Sequence, residues 1–326
     1  MSQFTVGNCL NYTMKNEQGS LERLYSQHKS YLLSLAYRML GSLAEAEELV
    51  HETFLEYQES SKTSKILKHK AWLTKVCTNK VLNHLKLAYK RRELYPGTWL
   101  PDEIPNSLQS WNHLIEDSSP EKKIILAESL TISFLLLIEN LTPEQRVIYL
   151  LNEIFDYSFK EISEFIGKEI SNCRKIAQRA REALSSDKKK TSPPPKNAEE
   201  IIYTFYELAK NGDREGLRNL LAKDSELWGD GGGKVYAAGH ITNLDDSITF
   251  LIKLASTKIF NSNQYKFEYH IVSSRPGIVV SKRQLSGEWA FDTILSYEFY
   301  HDKIVRIYAQ RNPDKLKSLL LSKSSV

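Results

Sequence analysis

A chain of 326 residues can hold two or three domains, each large enough for its own hydrophobic core. Its 44 Lys and Arg nearly balance its 40 Asp and Glu, so any surface for a polyanion has to come from local clustering of charge. The three cysteines have no disulfide or zinc-site spacing and no apolar run approaches the roughly 18 residues of a membrane span, so we expect a cytoplasmic protein with no metal, cofactor or membrane partner.

The first two predicted helices are joined at a glycine, and the second of them is acidic. Residues 1–18 are polar and unpatterned, which predicts a flexible N-terminus. Helical periodicity begins at Leu21 and ends at Gly41, and Ser42 starts a helix with six glutamates and no Lys or Arg between Leu43 and Glu59. This acidic face is either simply solvated or a docking surface for a basic protein. The glutamates predicted to bind that partner are Glu45, Glu48, Glu52 and Glu56.

The next segment reverses the sign of the charge. Ten Lys and Arg and no carboxylate lie between Lys62 and Arg92, while apolar residues such as Trp72 and Leu73 keep a helical stripe. Like charges at helical spacing repel one another, so a polyanion that neutralises them is the natural partner. We therefore predict that nucleic acid contacts the outward-facing residues Lys75, Asn79, Lys80, Asn83, Lys86 and Lys90.

The middle of the chain joins two helical modules. Residues 94–120 contain four prolines and two tryptophans and break every periodicity, which predicts an extended linker. Within it, the WLP sequence at Trp99–Pro101 can instead form a fixed anchor. A long apolar helix is predicted over Glu121–Glu139.

A helix-turn-helix pattern follows over Leu141–Leu184. Ser158 and Glu161 have the spacing of a capping box, and Gly167 suits a sharp turn. From Lys168 to Lys190 there are eight Lys and Arg but only three carboxylates, so the second helix is basic. In this motif the start of the second helix reads base edges, although an ordinary helical hairpin with a solvated basic face has the same pattern. The predicted DNA contacts are Ser171, Asn172, Arg174, Lys175 and Arg179.

A basic, proline-rich spacer over residues 187–197 precedes a C-terminal domain over residues 198–326. Two helices come first, the second predicted over Asp213–Asp224, and another helix lies near Asp245–Thr257. Helices followed by a strand meander predict an α+β domain whose helices cover one face of a curved antiparallel sheet. Turn signals interrupt the strands at Arg275–Gly277, Ser286–Gly287 and His301–Lys303.

Three segments in a fixed order resemble the bacterial RNA polymerase sigma factors of the extracytoplasmic function group, within the sigma-70 family. They are AEELVHETFLEY, WLTKVCTNKVLNHLK and the helix-turn-helix. The resemblance implies an all-α region 2 over residues 19–93 and an all-α region 4 over residues 121–186. In that family the first segment docks on core RNA polymerase, the second captures and melts the minus-ten promoter element, and the third recognises the minus-thirty-five element. Asn83 and Lys86 depart from the aspartate and arginine common there, so a phosphate contact is better supported than a base-specific one.

Three further segments resemble a subgroup with a fused C-terminal extension: WLPDEIP, DGGGK and NPDKL. That extension is similar to SnoaL-like domains, which share the cone-shaped sheet of ketosteroid isomerase. The resemblance implies that the extension regulates the sigma modules from within the chain, and we expect a small-molecule or protein signal to act on it. The implied interdomain contacts are Trp99, Leu100, Pro101, Asp230, Gly231, Gly232, Gly233, Lys234, Asn312, Pro313, Asp314 and Lys315.

A SnoaL-type isomerase or cyclase tethered to a DNA-binding module is the alternative function. It would need a base inside the cone, for which the candidates are Asp230, His240, His270 and Asp292. Asp230 lies in a glycine run that favours a tight turn. We expect no strand before that run and no GK[ST] helix after it, which excludes a phosphate-binding P-loop. The sequence therefore predicts no catalytic residue and a mechanism without covalent chemistry.

Overall fold

The computed structural model describes residues 6–63, 65–92, 94–109, 118–185, 191–257 and 263–323. Three helices form the first module: α1 Val6–Leu40, α2 Leu43–Thr63 and α3 His69–Arg92. Gly41 adopts a left-handed φ of 70°, which lets the chain reverse between α1 and α2. Helix α1 begins at Val6, so residues 6–18 of the segment predicted to be flexible are helical in the structure. That stretch contains no proline, and extending an existing helix costs far less than starting one.

Within the described residues, the second module contains five α-helices and a π-helical segment, Leu150–Ile154. The α-helices are α4 Pro120–Glu128, α5 Ile132–Glu139, α6 Pro143–Tyr149, α7 Phe159–Ile166 and α8 Ile170–Ser185. The helix predicted over Glu121–Glu139 is broken because Thr131 caps α5 by accepting a hydrogen bond from Phe134 N. The helix-turn-helix is confirmed: Ser158 and Glu161 form the capping box of α7, and Gly167 ends it with a φ of 68°.

The C-terminal domain combines four helices with one six-stranded sheet. The helices are α9 Ala198–Asn211, α10 Arg214–Leu220, α11 Leu244–Ala255 and α12 Pro313–Lys323. The strands are β1 Leu221–Asp230, β2 Gly239–Ile241, β3 Tyr265–Val272, β4 Arg275–Arg283, β5 Trp289–Tyr300 and β6 Lys303–Gln310. Their order is β2-β1-β6-β5-β4-β3. The α+β architecture is therefore confirmed.

Three local predictions in this domain are wrong. Residues 221–224 belong to β1 rather than to a helix, and β1 runs parallel to β6, so the sheet is mixed rather than purely antiparallel. Lys223 to Glu226 are all polar, so β1 lacks the apolar alternation that predicts a strand. The β3–β4 turn uses Ser273 and Ser274, both with positive φ, so the signal at Arg275–Gly277 lies inside β4.

The sheet is buried on both faces, whereas the sequence predicted that helices would cover only one face. Alternate residues of a strand point to opposite faces. On β5, Tyr297 packs with the helices α9 and α11, while Ile294 joins the core of the helical modules. On β6, Tyr308 packs with Leu100 of the linker and Ile132 of α5. The C-terminal domain therefore lies directly against the linker and both helical modules.

Candidate nucleic-acid interface and interdomain junction

Helix α8 presents the predicted upstream DNA contacts on one open face. Cys173, Ile176 and Ala180 are buried against the module. The opposite face is solvent exposed and carries Ser171, Asn172, Arg174, Lys175 and Arg179. The amphipathic sequence thus places a cationic ridge where a major groove could receive it.

Helix α3 is only partly open to a nucleic acid. Lys75, Asn83 and Lys86 are exposed. Asn79 is half-buried and its Nδ2 donates to Phe165 O of α7 at 2.9 Å. Lys80 Nζ lies 3.3 Å from Glu52 and 3.1 Å from Glu56 on α2. The side chain of Lys90 lies outside the described residues.

The predicted polymerase-binding glutamates of α2, which form its acidic ridge, are partly exposed to solvent and partly paired with side chains of α3. Glu48 is exposed, whereas Glu45 lies 3.3 Å from His84 Nε2. Glu52 and Glu56 are half-exposed and raise the pKa of Lys80 against the opposing effect of its burial. Part of the predicted polymerase-binding ridge therefore pairs with part of the predicted downstream DNA surface.

Two buried arginines join the first and second modules. Arg38 Nε donates to Ser129 Oγ at 2.7 Å and its Nη2 donates to Leu126 O at 3.0 Å. Burial lowers the pKa of Arg38 to about 9. Arg146 Nη1 donates to Met39 O at 3.0 Å. Neither residue was predicted from the sequence, although a lone arginine within an apolar helix face was an available signal.

The C-terminal domain meets the linker at Asp230, which is fully buried. Its carboxylate accepts hydrogen bonds from Tyr95 Oη at 2.7 Å, Leu100 N at 3.2 Å, Gly232 N at 2.9 Å and Lys315 Nζ at 2.8 Å. Lys315 also donates to Leu100 O. Asn312 Nδ2 donates to Tyr95 Oη at 2.7 Å. We call Tyr95, residues 99–104, Asp230, Asn312 and Lys315 the interdomain junction.

The same linker residues attach the junction to the first module. Asp102 N donates to Gly41 O at 2.8 Å, and the Asp102 carboxylate accepts from Leu43 N at 2.7 Å, at the start of α2. The Trp99 ring packs against Gly41, where a Cβ would lie 2.9 Å from the ring. Burial raises the pKa of Asp102 from 3.8 to about 6, although Lys315 and the Leu43 amide oppose that shift.

Further contacts fix the sheet to the linker and to the second module. Ile104 and Ser273 exchange hydrogen bonds of 2.9 and 3.2 Å. Ser133 of α5 donates to Glu298 of β5, whose other oxygen pairs with Arg306 at 2.7 Å. Glu103 is fully buried nearby, and burial together with the Glu298 charge raises its pKa well above the usual range.

The structure brings together most of the predicted interdomain residues, with one correction. Lys234 Nζ pairs with Asp314 at 2.5 Å on the surface of the C-terminal domain, so these two side chains contact each other rather than the sigma modules. Gly233 does face the linker, since a Cβ there would lie 2.7 Å from Pro96. Tyr95 and Ser273 were missed, because only the fold brings them to the linker, whereas Asp102 lies in the recognised WLPDEIP segment but was not among the predicted contacts.

The candidate bases of the alternative function are dispersed. Of the four, Asp292 alone lines the internal cavity of the C-terminal domain. Asp230 belongs to the junction, and His240 stacks on Trp228 with ring centroids 3.5 Å apart. His270 lies on β3 outside the cavity lining. A strand, β1, does precede the glycine run, contrary to expectation, but the first helix after it is α11, so the run is not a P-loop.

Metal ligands and membrane spans are the last features of the described residues that bear on function. Within those ranges, no group of three or more His, Cys, Asp or Glu side chains could hold a metal ion. Among the described helices, none combines the length and apolarity that a bilayer span requires.

Comparisons with known proteins agree with the two helical modules. The model of Sigma-70 region 2 matches residues 24–91, and the model of Sigma-70, region 4 matches residues 132–184. The ECF RNA polymerase sigma factor SigJ of Mycobacterium tuberculosis is 30% identical over 241 residues, which cover 72% of this chain and 74% of that protein. The probable ECF RNA polymerase sigma factor SigI of the same species is 29% identical over 197 residues, covering 60% and 64%.

The crystal structure of M. tuberculosis SigJ superposes with a TM-score of 0.67 at 25% identity, covering 89% of this chain and 96% of that one. The match thus extends beyond the two helical modules into the C-terminal domain. The chain belongs to the extracytoplasmic function family of RNA polymerase sigma factors, which direct promoter recognition.

Proposed function

We propose that this sigma factor joins core RNA polymerase in the cytoplasm and starts transcription only after its C-terminal domain releases a closed arrangement of the two sigma modules. Helix α8 would bind the upstream promoter element, α3 the downstream element and the glutamates of α2 the polymerase. These steps need binding and strand separation but no covalent chemistry.

The contact between Asn79 and Phe165 carries the closed-state proposal. Elements centred near minus ten and minus thirty-five are about 25 base pairs apart, or roughly 85 Å along B-form DNA at about 3.4 Å per base pair. A helix the length of α3 spans only about 36 Å at 1.5 Å per residue. Because α3 touches α7 of the helix-turn-helix, the two modules have to separate before they can bind both elements.

Run-off transcription with purified core polymerase tests this proposal. We expect the full chain to give weak transcripts and the junction variant Asn312→Ala to give several-fold more. Asp314→Ala is the matched control, because Asp314 contacts Lys234 rather than the sigma modules. If neither variant nor the full chain supports any initiation, the sigma-factor mechanism is wrong. If the full chain initiates as well as Asn312→Ala, the closed state is not inhibitory.

A further inference from the structure

One cation of the predicted downstream DNA surface is held by the acidic ridge of α2. Lys80 Nζ lies 3.3 Å from Glu52 and 3.1 Å from Glu56, and the lysine side chain is only 24% exposed. Lys75 and Lys86, on the same helix and predicted for the same surface, are exposed. Lys80 therefore differs from these two lysines in that carboxylates of α2 already neutralise its charge.

The two glutamates depend on this cation in turn. Glu52 and Glu56 are one turn apart on α2, and like charges at this spacing repel each other. Burial lowers the pKa of Lys80, but the hydrogen bonds and charges of Glu56 and Glu52 outweigh that effect, so its pKa is raised overall. Withdrawing the lysine would leave two adjacent negative charges unneutralised. Its release is therefore favoured when another cation takes its place.

The glutamates are accessible to such a replacement. The side chains of Glu52 and Glu56 are 46% and 49% exposed, so a basic side chain of a protein partner can approach them from solvent. A lysine carries its charge on a flexible four-carbon stem. Asn83 lies one turn further along α3 and is exposed on the predicted DNA surface. A change of rotamer can therefore carry the ammonium group of Lys80 from the ridge toward that surface.

We propose that Lys80 is exchanged between two partners: basic side chains of core polymerase displace it from Glu52 and Glu56, and it then binds a phosphate of the downstream element. Because the two binding events share one ion-pair cluster, each strengthens the other. Lys80 contacts DNA, whereas the two glutamates are positioning residues that hold it back. The exchange rests on the proposed roles of α2 and α3.

Fluorescence anisotropy with a labelled single-stranded DNA oligonucleotide tests the exchange without polymerase. Glu52→Gln combined with Glu56→Gln releases Lys80, so we expect the full chain to bind the strand about three- to fivefold more tightly. The slope of log affinity against log salt should steepen by about 0.7, the value for one further phosphate contact on a single strand. Adding Lys80→Met to the paired glutamate substitutions should abolish both effects.

Two controls separate Lys80 from the general charge of the helix pair. Glu48→Gln removes an exposed glutamate one turn before Glu52 and should change the affinity less than about twofold. Lys75→Met removes an exposed lysine of α3, and the gain from the paired glutamate substitutions should persist in this background. Cooperative thermal unfolding shows that each variant is folded. An equal gain in the Lys80→Met background overturns the exchange, because the effect is then one of net charge.

Titration with core polymerase gives the reciprocal readout. Lys80→Met frees both glutamates and should tighten polymerase binding about three- to fivefold, a gain that a merely structural ion pair does not predict. Glu52→Gln with Glu56→Gln should weaken polymerase binding. If the glutamate variant binds polymerase normally, the proposed docking role of α2 is wrong and the exchange with it. If that variant is weakened but Lys80→Met gives no gain, the exchange alone is refuted.

Discussion

Lys315 Nζ lies 2.8 Å from the carboxylate of Asp230, and this pair sits where the linker, the glycine run and the final helix meet. Asp230 is fully buried and Lys315 nearly so. Breaking a buried ion pair from one side leaves an uncompensated charge, which typically costs about 3–5 kcal/mol. The contact between the C-terminal domain and the linker therefore depends on both partners at once.

The first prediction is that Lys315→Met lowers the denaturant midpoint of the full chain by an amount equivalent to about 3 kcal/mol. Loss of the ammonium group removes the cationic partner of buried Asp230, whose carboxylate keeps only the donors Tyr95, Leu100 N and Gly232 N. Lys315→Met combined with Asp230→Asn should recover part of the loss, because the charge has then been removed. Should Lys315→Met match Asp314→Ala in stability, the buried pair does not hold the domains together.

The second prediction concerns pH. Asp102 has a pKa of about 6 in the closed chain and an ordinary value of 3.8 when solvated. The closed state therefore binds the proton more tightly, and its stability from this group is full below about pH 4 and lost as the pH rises through about 6. The groups facing Asp102 are Lys315, the Leu43 amide, Glu45 and Asp230. Limited proteolysis of the linker should therefore accelerate between about pH 4 and pH 6 and level off above that range.

Asp102→Asn is the control for this pH effect. The amide cannot titrate, so the acceleration should flatten in the variant. Buried Glu103 also has a raised pKa and acts in the same direction, so Asp102→Asn with Glu103→Gln should flatten it further. A wild-type linker that is cleaved faster at pH 5 than at pH 8 contradicts the sign.

The third prediction separates backbone strain from interdomain contact. Gly233→Ala and Gly287→Ala each place a side chain at positive φ, which costs roughly 1–2 kcal/mol. The Cβ at position 233 would also lie 2.7 Å from Pro96, whereas nothing lies within 4 Å at position 287. We expect both variants to lose thermal stability and only Gly233→Ala to increase run-off transcription. Equal transcription from both would place Gly233 outside the control mechanism.

The fourth prediction tests helix α8 in the Asn312→Ala background, in which we expect the modules to separate. Arg179→Ala should weaken promoter binding on all sequences and reduce the salt slope by about one, as expected for a phosphate contact. Asn172→Ala should cost about 1–3 kcal/mol only when the upstream element is intact. Binding to matched and mutated promoter DNA at two salt concentrations distinguishes the two roles. Identical profiles for both variants would rule out base recognition by Asn172.

Local chemistry explains which features the sequence could predict. The capping box of Ser158 and Glu161 and the turn at Gly167 depend on neighbours within a few residues, and both are confirmed. β1 was missed because its parallel partner β6 lies about 80 residues away in the chain. The roles of Asn79 and Lys80 were incomplete for a similar reason: their partners Phe165 and Glu52 lie on other helices.

The double-sided burial of the sheet has a consequence for fragments of this protein. Cutting the chain at the proline-rich spacer would uncover Ile294 and Tyr308 on one piece and Leu100 and Ile132 on the other. Each half would then expose apolar patches to water and tend to self-associate. A phenotype from a truncated gene would thus mix lost control with impaired solubility, whereas single substitutions at Tyr95 or Asn312 leave those patches covered.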